Sequence, residues 1–274
     1  MQDAPLSQDK PILAIRDLHL EFHDHGRPEV VVEDLSFELR RAEILGIVGE
    51  SGSGKSMTAL AIAGLLNRHA LDCSGTILFD GVDLLHCGRA TLRRYQGDEI
   101  SMIFQEPMTS LDPLQRIGMQ VEEALRIHRA ELSAAERRKM AIRAMAAAGL
   151  PDPEQVYGMY PHELSGGMRQ RVMIAAATVL KPQILIADEP TTALDVTTQA
   201  QIIALLRTIN AEDQTAIVFI SHDLSLVRQL CHRVIVMRKG VAVESGASDE
   251  VFRNPRHPYT KALVDAIPKV VLER

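Results

Sequence analysis

The 274-residue chain contains no tryptophan, and its aromatic content is only 4%. Platforms that stack nucleobases or sugars are therefore poorly supplied. Cysteine is scarce too: Cys73, Cys87 and Cys231 lie far apart and form no C-x-x-C pair. That argues against a disulfide framework or a structural zinc site and makes a reducing cytosol the simplest home. No apolar run reaches the roughly 20 residues that span a bilayer. The longest, at 172–180, is bounded by Arg171 and Lys181. The opening stretch, MQDAPLSQDK, lacks the basic and apolar regions of a secretory signal. Nor is there an excess of positive charge. Thirty Lys and Arg stand against 36 Asp and Glu, a formal net charge of −6, which speaks against a non-specific grip on nucleic acid or anionic lipid. A soluble intracellular protein is the expectation.

What is present is an ordinary globular composition, 46% hydrophobic and 24% charged, long enough for a sizeable core. Leu18, Leu20 and Phe22 alternate with polar residues, as do Leu35, Phe37 and Leu39. Both are patterns of half-buried antiparallel strands, with 24–29 (DHGRPE) as the polar turn between them. Residues 44–48 (ILGIV) are continuously apolar, as in a strand covered on both faces, and 57–66 reads as a helix. Short buried strands recur at 184–187, 216–220 and 234–237, and Ile202, Leu205, Leu206 and Ile209 form a helical stripe. Buried strands alternating with helices predict an α/β parallel sheet. From about 110 to 180 strand character vanishes, which predicts an all-helical insertion. There Ser133 and Glu136 form a capping box, and the helix they open ends near Gly149. The end of the chain, from Arg253, reads as a short helix after a proline-rich turn.

Between the 44–48 strand and the following helix lies Gly49-Glu50-Ser51-Gly52-Ser53-Gly54-Lys55-Ser56, a full match to G-x-x-x-x-G-K-[ST]. Its glycines let successive backbone N–H groups point into one concavity suited to phosphate oxygens, reinforced by the positive end of the helix. Lys55 is expected to reach the β- and γ-phosphates and Ser56 to ligate Mg²⁺. A metal-bound phosphate also needs an acidic partner. The apolar strand ending in Asp188-Glu189 supplies it, with Asp188 on the metal and Glu189 polarising a water for in-line attack. A second glycine-rich turn, Leu164-Ser165-Gly166-Gly167-Met168-Arg169-Gln170, also feeds a helix. Its Ser165 hydroxyl and the N–H groups of Gly166 and Gly167 suit another anion. Two phosphate-binding turns make sense if the second closes on the nucleotide of another subunit.

From about residue 12 to about 266, these motifs resemble the ATP-binding subunit of an ABC transporter, and LSGGMRQR is highly specific to such cassettes. The resemblance implies a P-loop core with an N-terminal antiparallel β subdomain, the helical insertion at about 110–180, and a short tail at 267–274. It places Ser165, Gly166, Gly167 and Gln170 at the nucleotide. By the same resemblance, Gln105 senses Mg²⁺ and the attacking water. Asp195, in Ala193-Leu194-Asp195, runs along the partner's site, and His222 contacts the γ-phosphate. Phe22 is the expected adenine-stacking aromatic, with His23 and His25 as alternatives.

The phrases Phe104-Gln105-Glu106-Pro107-Met108-Thr109-Ser110-Leu111-Asp112-Pro113, Tyr160-Pro161-His162-Glu163-Leu164 and Asn254-Pro255-Arg256-His257-Pro258-Tyr259-Thr260 resemble the dipeptide/oligopeptide/nickel importer subfamily of bacteria. This implies two cassettes closing head to tail on ATP and Mg²⁺, the second cassette a paralogue. It also implies two permease subunits, an extracytoplasmic solute-binding protein, and a peripheral place on the cytoplasmic face of the inner membrane. Residues after Gln105 would receive a coupling helix of the membrane subunit. Many peptide-importing members carry a cysteine-containing extension beyond the point where this chain stops, which lends weight to nickel as an alternative cargo. The rivals are a non-transport ABC ATPase of DNA repair or translation and a nucleotide-binding module without turnover. The first would carry a long coiled-coil insertion or tandem cassettes, and intact Glu189 and His222 oppose the second.

Overall fold

A computed structural model describes residues 10–24, 27–67, 71–192 and 194–266. His25, Ala193 and the 267–274 tail lie outside the described residues. The chain divides into two compact units, residues 1–85 with 218–274, and residues 86–217.

The first unit opens with β1 (Leu13–Asp24) and β2 (Arg27–Leu39), paired antiparallel. The alternation read from sequence holds: Leu18, Leu20, Leu35, Phe37 and Leu39 are all buried. The strands extend into the expected 24–29 turn, Asp24 pairing with Arg27 and His23 with Pro28. The chain continues through β3 (Ile44–Val48), α1 (Lys55–Ile62), β4 (Leu71–Phe79) and β5 (Val82–Asp83). Helix α1 stops four residues short of the expected end at 66. β4 and β5 complete a four-stranded sheet in the order β2-β1-β4-β5. β4 escapes a period-2 reading because a register shift between Arg16 and His19 interrupts its pairing with β1.

The second unit supplies α2 (Arg89–Tyr95), β6 (Ile100–Ile103), α3 (Pro107–Ser110), α4 (Ile117–Val121), α5 (Glu123–His128), α6 (Ala134–Ala147), α7 (Pro153–Gly158), α8 (Gly166–Thr178), β7 (Ile184–Asp188) and α9 (Val196–Asp213). β6 and β7 run parallel, Ile100 opposite Ile184 and Ile103 opposite Ala187. Between them every regular element among the described residues is helical, as expected. The capping box at the start of α6 forms: Ser133 Oγ accepts from the Glu136 N–H, and Glu136 Oε2 accepts from the Ser133 N–H. On α9, Ile202, Leu206 and Ile209 are buried, whereas Leu205 sits at the edge of the stripe.

β8 (Ala216–Ile220) carries the chain back to the first unit, followed by α10 (Leu224–Leu230), β9 (Arg233–Arg238), β10 (Val241–Ala247), α11 (Ser248–Arg253) and α12 (Pro258–Asp265). There β10, β9, β3 and β8 neighbour one another in that order, β3 parallel to β9. β3 is buried throughout, as its apolar run requires. Its one gap, Gly46, lets α10 approach: a Cβ there would stand 2.7 Å from a Val227 methyl. β10 is an edge strand with no fully buried residue, so its sequence carries no apolar alternation. Among the described residues no helix is long and apolar enough to cross a membrane.

Candidate functional site

The phosphate loop lies between β3 and α1, and its shape is set by close backbone approach. At Gly49 (φ 154°) a Cβ would come 2.2 Å from the Met237 carbonyl oxygen, and at Gly54 (φ 96°) 2.6 Å from that of Val31. Neither position admits another residue without displacing backbone. The Gly240 N–H donates to the Ser53 carbonyl at 3.2 Å, and the Glu33 N–H to that of Gly240 at 2.9 Å. The β9–β10 turn and β2 thus brace the loop. Lys55 is buried at 5% exposure, with its ammonium donating to the carbonyls of Gly49 and Glu50, both at 2.8 Å.

These residues fit a nucleotide phosphate. Gly54 is the N-cap of α1 and offers no side chain to cap it, and the first turn holds no acidic residue. An anion would meet amide donors, the positive helix end and a cation together. Ser56 follows, exposed, on the first turn. Among the described residues no cluster of three or more His, Cys, Asp or Glu could hold a metal alone. Mg²⁺ would therefore arrive with phosphate oxygens completing its shell, as is usual for this ion.

Phe22 is half-buried on β1, opposite Glu29 of β2, two residues before the Val31 carbonyl that crowds Gly54. His23, its alternative, is held by the Asp72 carboxylate at 2.5 Å. His222 lies exposed just beyond β8, where Asp223 caps α10 by accepting from the Ser225 N–H at 2.8 Å.

In the second unit, β7 delivers Asp188, buried, and then Glu189, whose backbone is left-handed (φ 46°). Such a conformation is strained for a residue with a side chain and persists only where neighbours hold it. Gln105, just past β6, donates from Nε2 to Glu189 Oε2 at 3.0 Å. Thr192 donates its hydroxyl to the same oxygen at 2.9 Å, and its N–H to the Glu189 carbonyl at 3.2 Å. The parallel register of β6 and β7 brings Gln105 to Glu189 across 84 residues of chain. The sequence motif containing Thr192 assigns it no role, although it stands three residues from Glu189.

Ser165 caps α8, its hydroxyl accepting from the Met168 N–H at 3.3 Å. Gly166 faces open space, whereas a Cβ on Gly167 would stand 3.0 Å from a methyl of Thr198. Thr198 is in turn held by Asp195, the N-cap of α9, through N–H and hydroxyl at 2.9 and 2.7 Å. These hydrogen bonds, the hydroxyl's first, hold the Asp195 carboxyl below the usual carboxylate range. The Ser165 and Asp195 turns are thereby neighbours. Gln170 is buried on α8, and its amide nitrogen has no hydrogen-bond partner among the described residues. A separate cleft of about 280 Å³ is lined by Phe104, Leu111, Gln120, Ile127 and Met173. Phe104 and Ile127 lie 41% and 66% exposed there.

Comparison with known proteins adds the following. A family model described as ABC transporter matches residues 32–192, and one described as the C-terminal region of oligopeptide/dipeptide transporters matches residues 243–274. The chain is 49% identical over 261 residues to the peptidoglycan transport ATP-binding protein YejF of Agrobacterium fabrum, covering 95% of this chain and 48% of that relative. To the dipeptide transport ATP-binding protein DppD of Lactococcus lactis it is 46% identical over 262 residues, covering 96% of this chain and 75% of that relative. It therefore spans about half the length of the first and three quarters of the second. Among solved structures, a dimeric ATP-binding cassette in a post-hydrolysis state with ADP and Pi superimposes with a TM-score of 0.78 at 28% identity, over 86% of this chain and 98% of that one.

Proposed function

Because the chain belongs to the ABC transporter family and is an ATPase coupled to transport, we propose that it energises the uptake of dipeptides or oligopeptides. The observation that carries the cargo class is the match of residues 243–274 to the C-terminal region of peptide transporters, a stretch that includes Asn254 to Thr260. No observation comparably favours nickel.

On this reading residues 12–266 form one cassette. Bound MgATP supplies an electrophilic γ-phosphorus and a cation that neutralises developing charge. The loop amides from Ser51 to Ser56 and the Lys55 ammonium would bind the phosphates, with Gly49 and Glu50 shaping the loop, Ser56 and Asp188 would hold the metal, and Phe22 would stack on the base. Glu189 takes the proton of the attacking water. Gln105 and Thr192 orient it for that task by fixing one carboxylate oxygen. His222 steadies the γ-phosphate. The Ser165 turn and Asp195 serve the nucleotide of a second cassette, and the Phe104–Ile127 cleft receives a helix of the permease. Two permeases, a paralogous cassette and a solute-binding protein at the cytoplasmic membrane complete the system.

Reconstitution with the permeases in vesicles tests this. ATP turnover should rise severalfold when a binding protein loaded with a short peptide is added, and Glu189→Gln should retain nucleotide while abolishing the rise. Stimulation by nickel and not by peptide would overturn the cargo class.

A further inference from the structure

One polar contact of the phosphate loop reaches a part of the chain to which no nucleotide role has been assigned. The backbone N–H of Glu50 donates to the hydroxyl of Tyr259, at 3.0 Å and 209 residues away. Resting on the nucleotide reading above, we propose that Tyr259 is a positioning residue for the phosphate loop, so that the C-terminal segment helps set nucleotide affinity.

The contact falls on a peptide group of the loop that is held at both its carbonyl and its N–H. The amide joining Gly49 to Glu50 is one rigid plane. Its carbonyl accepts from the Lys55 ammonium at 2.8 Å, and its N–H is fixed by Tyr259. The next carbonyl, of Glu50, accepts from Lys55 at 2.8 Å and from the Ser53 N–H at 3.2 Å. Rotation of the Gly49–Glu50 plane would break both of its bonds and let Lys55 shift. An N–H committed to Tyr259 is also not offered to a phosphate oxygen. Glu50 therefore contributes loop shape, and the amide donors for phosphate come from farther along the loop.

Tyr259 is itself well anchored. It is 7% exposed, and the guanidinium of Arg238 lies 5.0 Å from its ring centroid. It sits in the first turn of α12, where His257 Nδ1 caps the helix by accepting from the Tyr259 N–H at 3.2 Å. The N–H groups of Arg256 and His257 donate to the two oxygens of Glu244 on β10, at 2.9 and 3.0 Å. Burial disfavours the Glu244 anion, but the nearby Thr260 hydroxyl and these backbone bonds outweigh it and hold the carboxyl below its ordinary range. Strand β10, the 254–257 turn and α12 thus form a continuous strut ending on the loop. The plain alternative is that a buried tyrosine hydroxyl simply takes the nearest backbone donor, with no effect on ligand.

Tyr259→Phe separates the two, since it keeps the ring and its Arg238 contact and removes only the hydroxyl. In the full chain, titration with the fluorescent analogue mant-ATP and steady-state MgATP hydrolysis should show Kd and KM raised about 3- to 10-fold, the size of one lost hydrogen bond, with kcat within about twofold. His257→Ala should move KM the same way, and His257→Asn, which can still cap α12, should restore it. A purely structural role would lower the thermal midpoint and leave Kd, measured well below that midpoint, unchanged. That result in Tyr259→Phe or, should it not fold, in His257→Ala overturns the proposal. Failure of the unmodified chain to bind mant-ATP would instead overturn the nucleotide reading.

Discussion

The two units hold their functional groups by opposite means. In the first, the loop is made of backbone: glycines pressed against the Met237 and Val31 carbonyls, and a buried lysine resting on its own loop's carbonyls. In the second, the groups are side chains that hold one another: Gln105 and Thr192 on Glu189, Asp195 on Thr198, Ser165 on its own helix. A site made of backbone tolerates almost no substitution but needs few residues to specify it. A site made of side chains permits local variation and depends on distant elements arriving in register.

The sharpest test of this contrast is kinetic. Lys55→Ala should reduce hydrolysis on the order of 100- to 1,000-fold and weaken nucleotide binding with it. Glu189→Gln should cost roughly 100-fold or more in turnover while binding persists. Equal loss of binding in both would break the division of labour. Next comes stability. Gly54→Ala drives a Cβ against backbone at positive φ and should cost about 3 kcal/mol in denaturant unfolding. Gly118→Ala in α4 meets the Tyr157 ring at 2.3 Å and should cost about 1–3 kcal/mol.

Comparison of Tyr157→Phe with the unmodified chain at alkaline pH probes the second unit. Tyr157 donates its hydroxyl to the buried Glu122, and burial first, then that carboxylate, push its pKa from 10.0 up to about 12. A pKa raised on folding means that the folded state keeps the proton longer. The contribution is therefore complete below pH 10 and lost as pH climbs toward 12. Tyr157→Phe should remove that part of the decline seen by thermal melts between those values. The smallest effect expected is Ser133→Ala, which removes the α6 cap for about 1 kcal/mol.

Legibility followed the same contrast. β3, the phosphate loop and the α6 capping box could be read because each is a local pattern whose physics is complete within a dozen residues. β4 and β10 could not: a bulged pairing interrupts the first, and the second is an edge strand whose faces are too exposed to require alternation. Thr192 and Tyr259 stayed hidden for a related reason. Each lies in a stretch whose motif does not name its partner, and each acquires that partner only through folding.

The sequence by itself therefore determined the class of chemistry. G-x-x-x-x-G-K-S, the Asp188-Glu189 strand end and LSGGMRQR, with no aromatic wealth, no long apolar run and no positive excess, leave an ABC-type ATPase as the reading. Tertiary structure alone decided which groups restrain which. The register of β6 with β7 puts Gln105 on Glu189, and the path from β10 to α12 puts Tyr259 on Glu50. A backbone concavity needs only local φ and ψ, whereas a hydrogen bond across 84 or 209 residues exists only once the chain between its ends has packed.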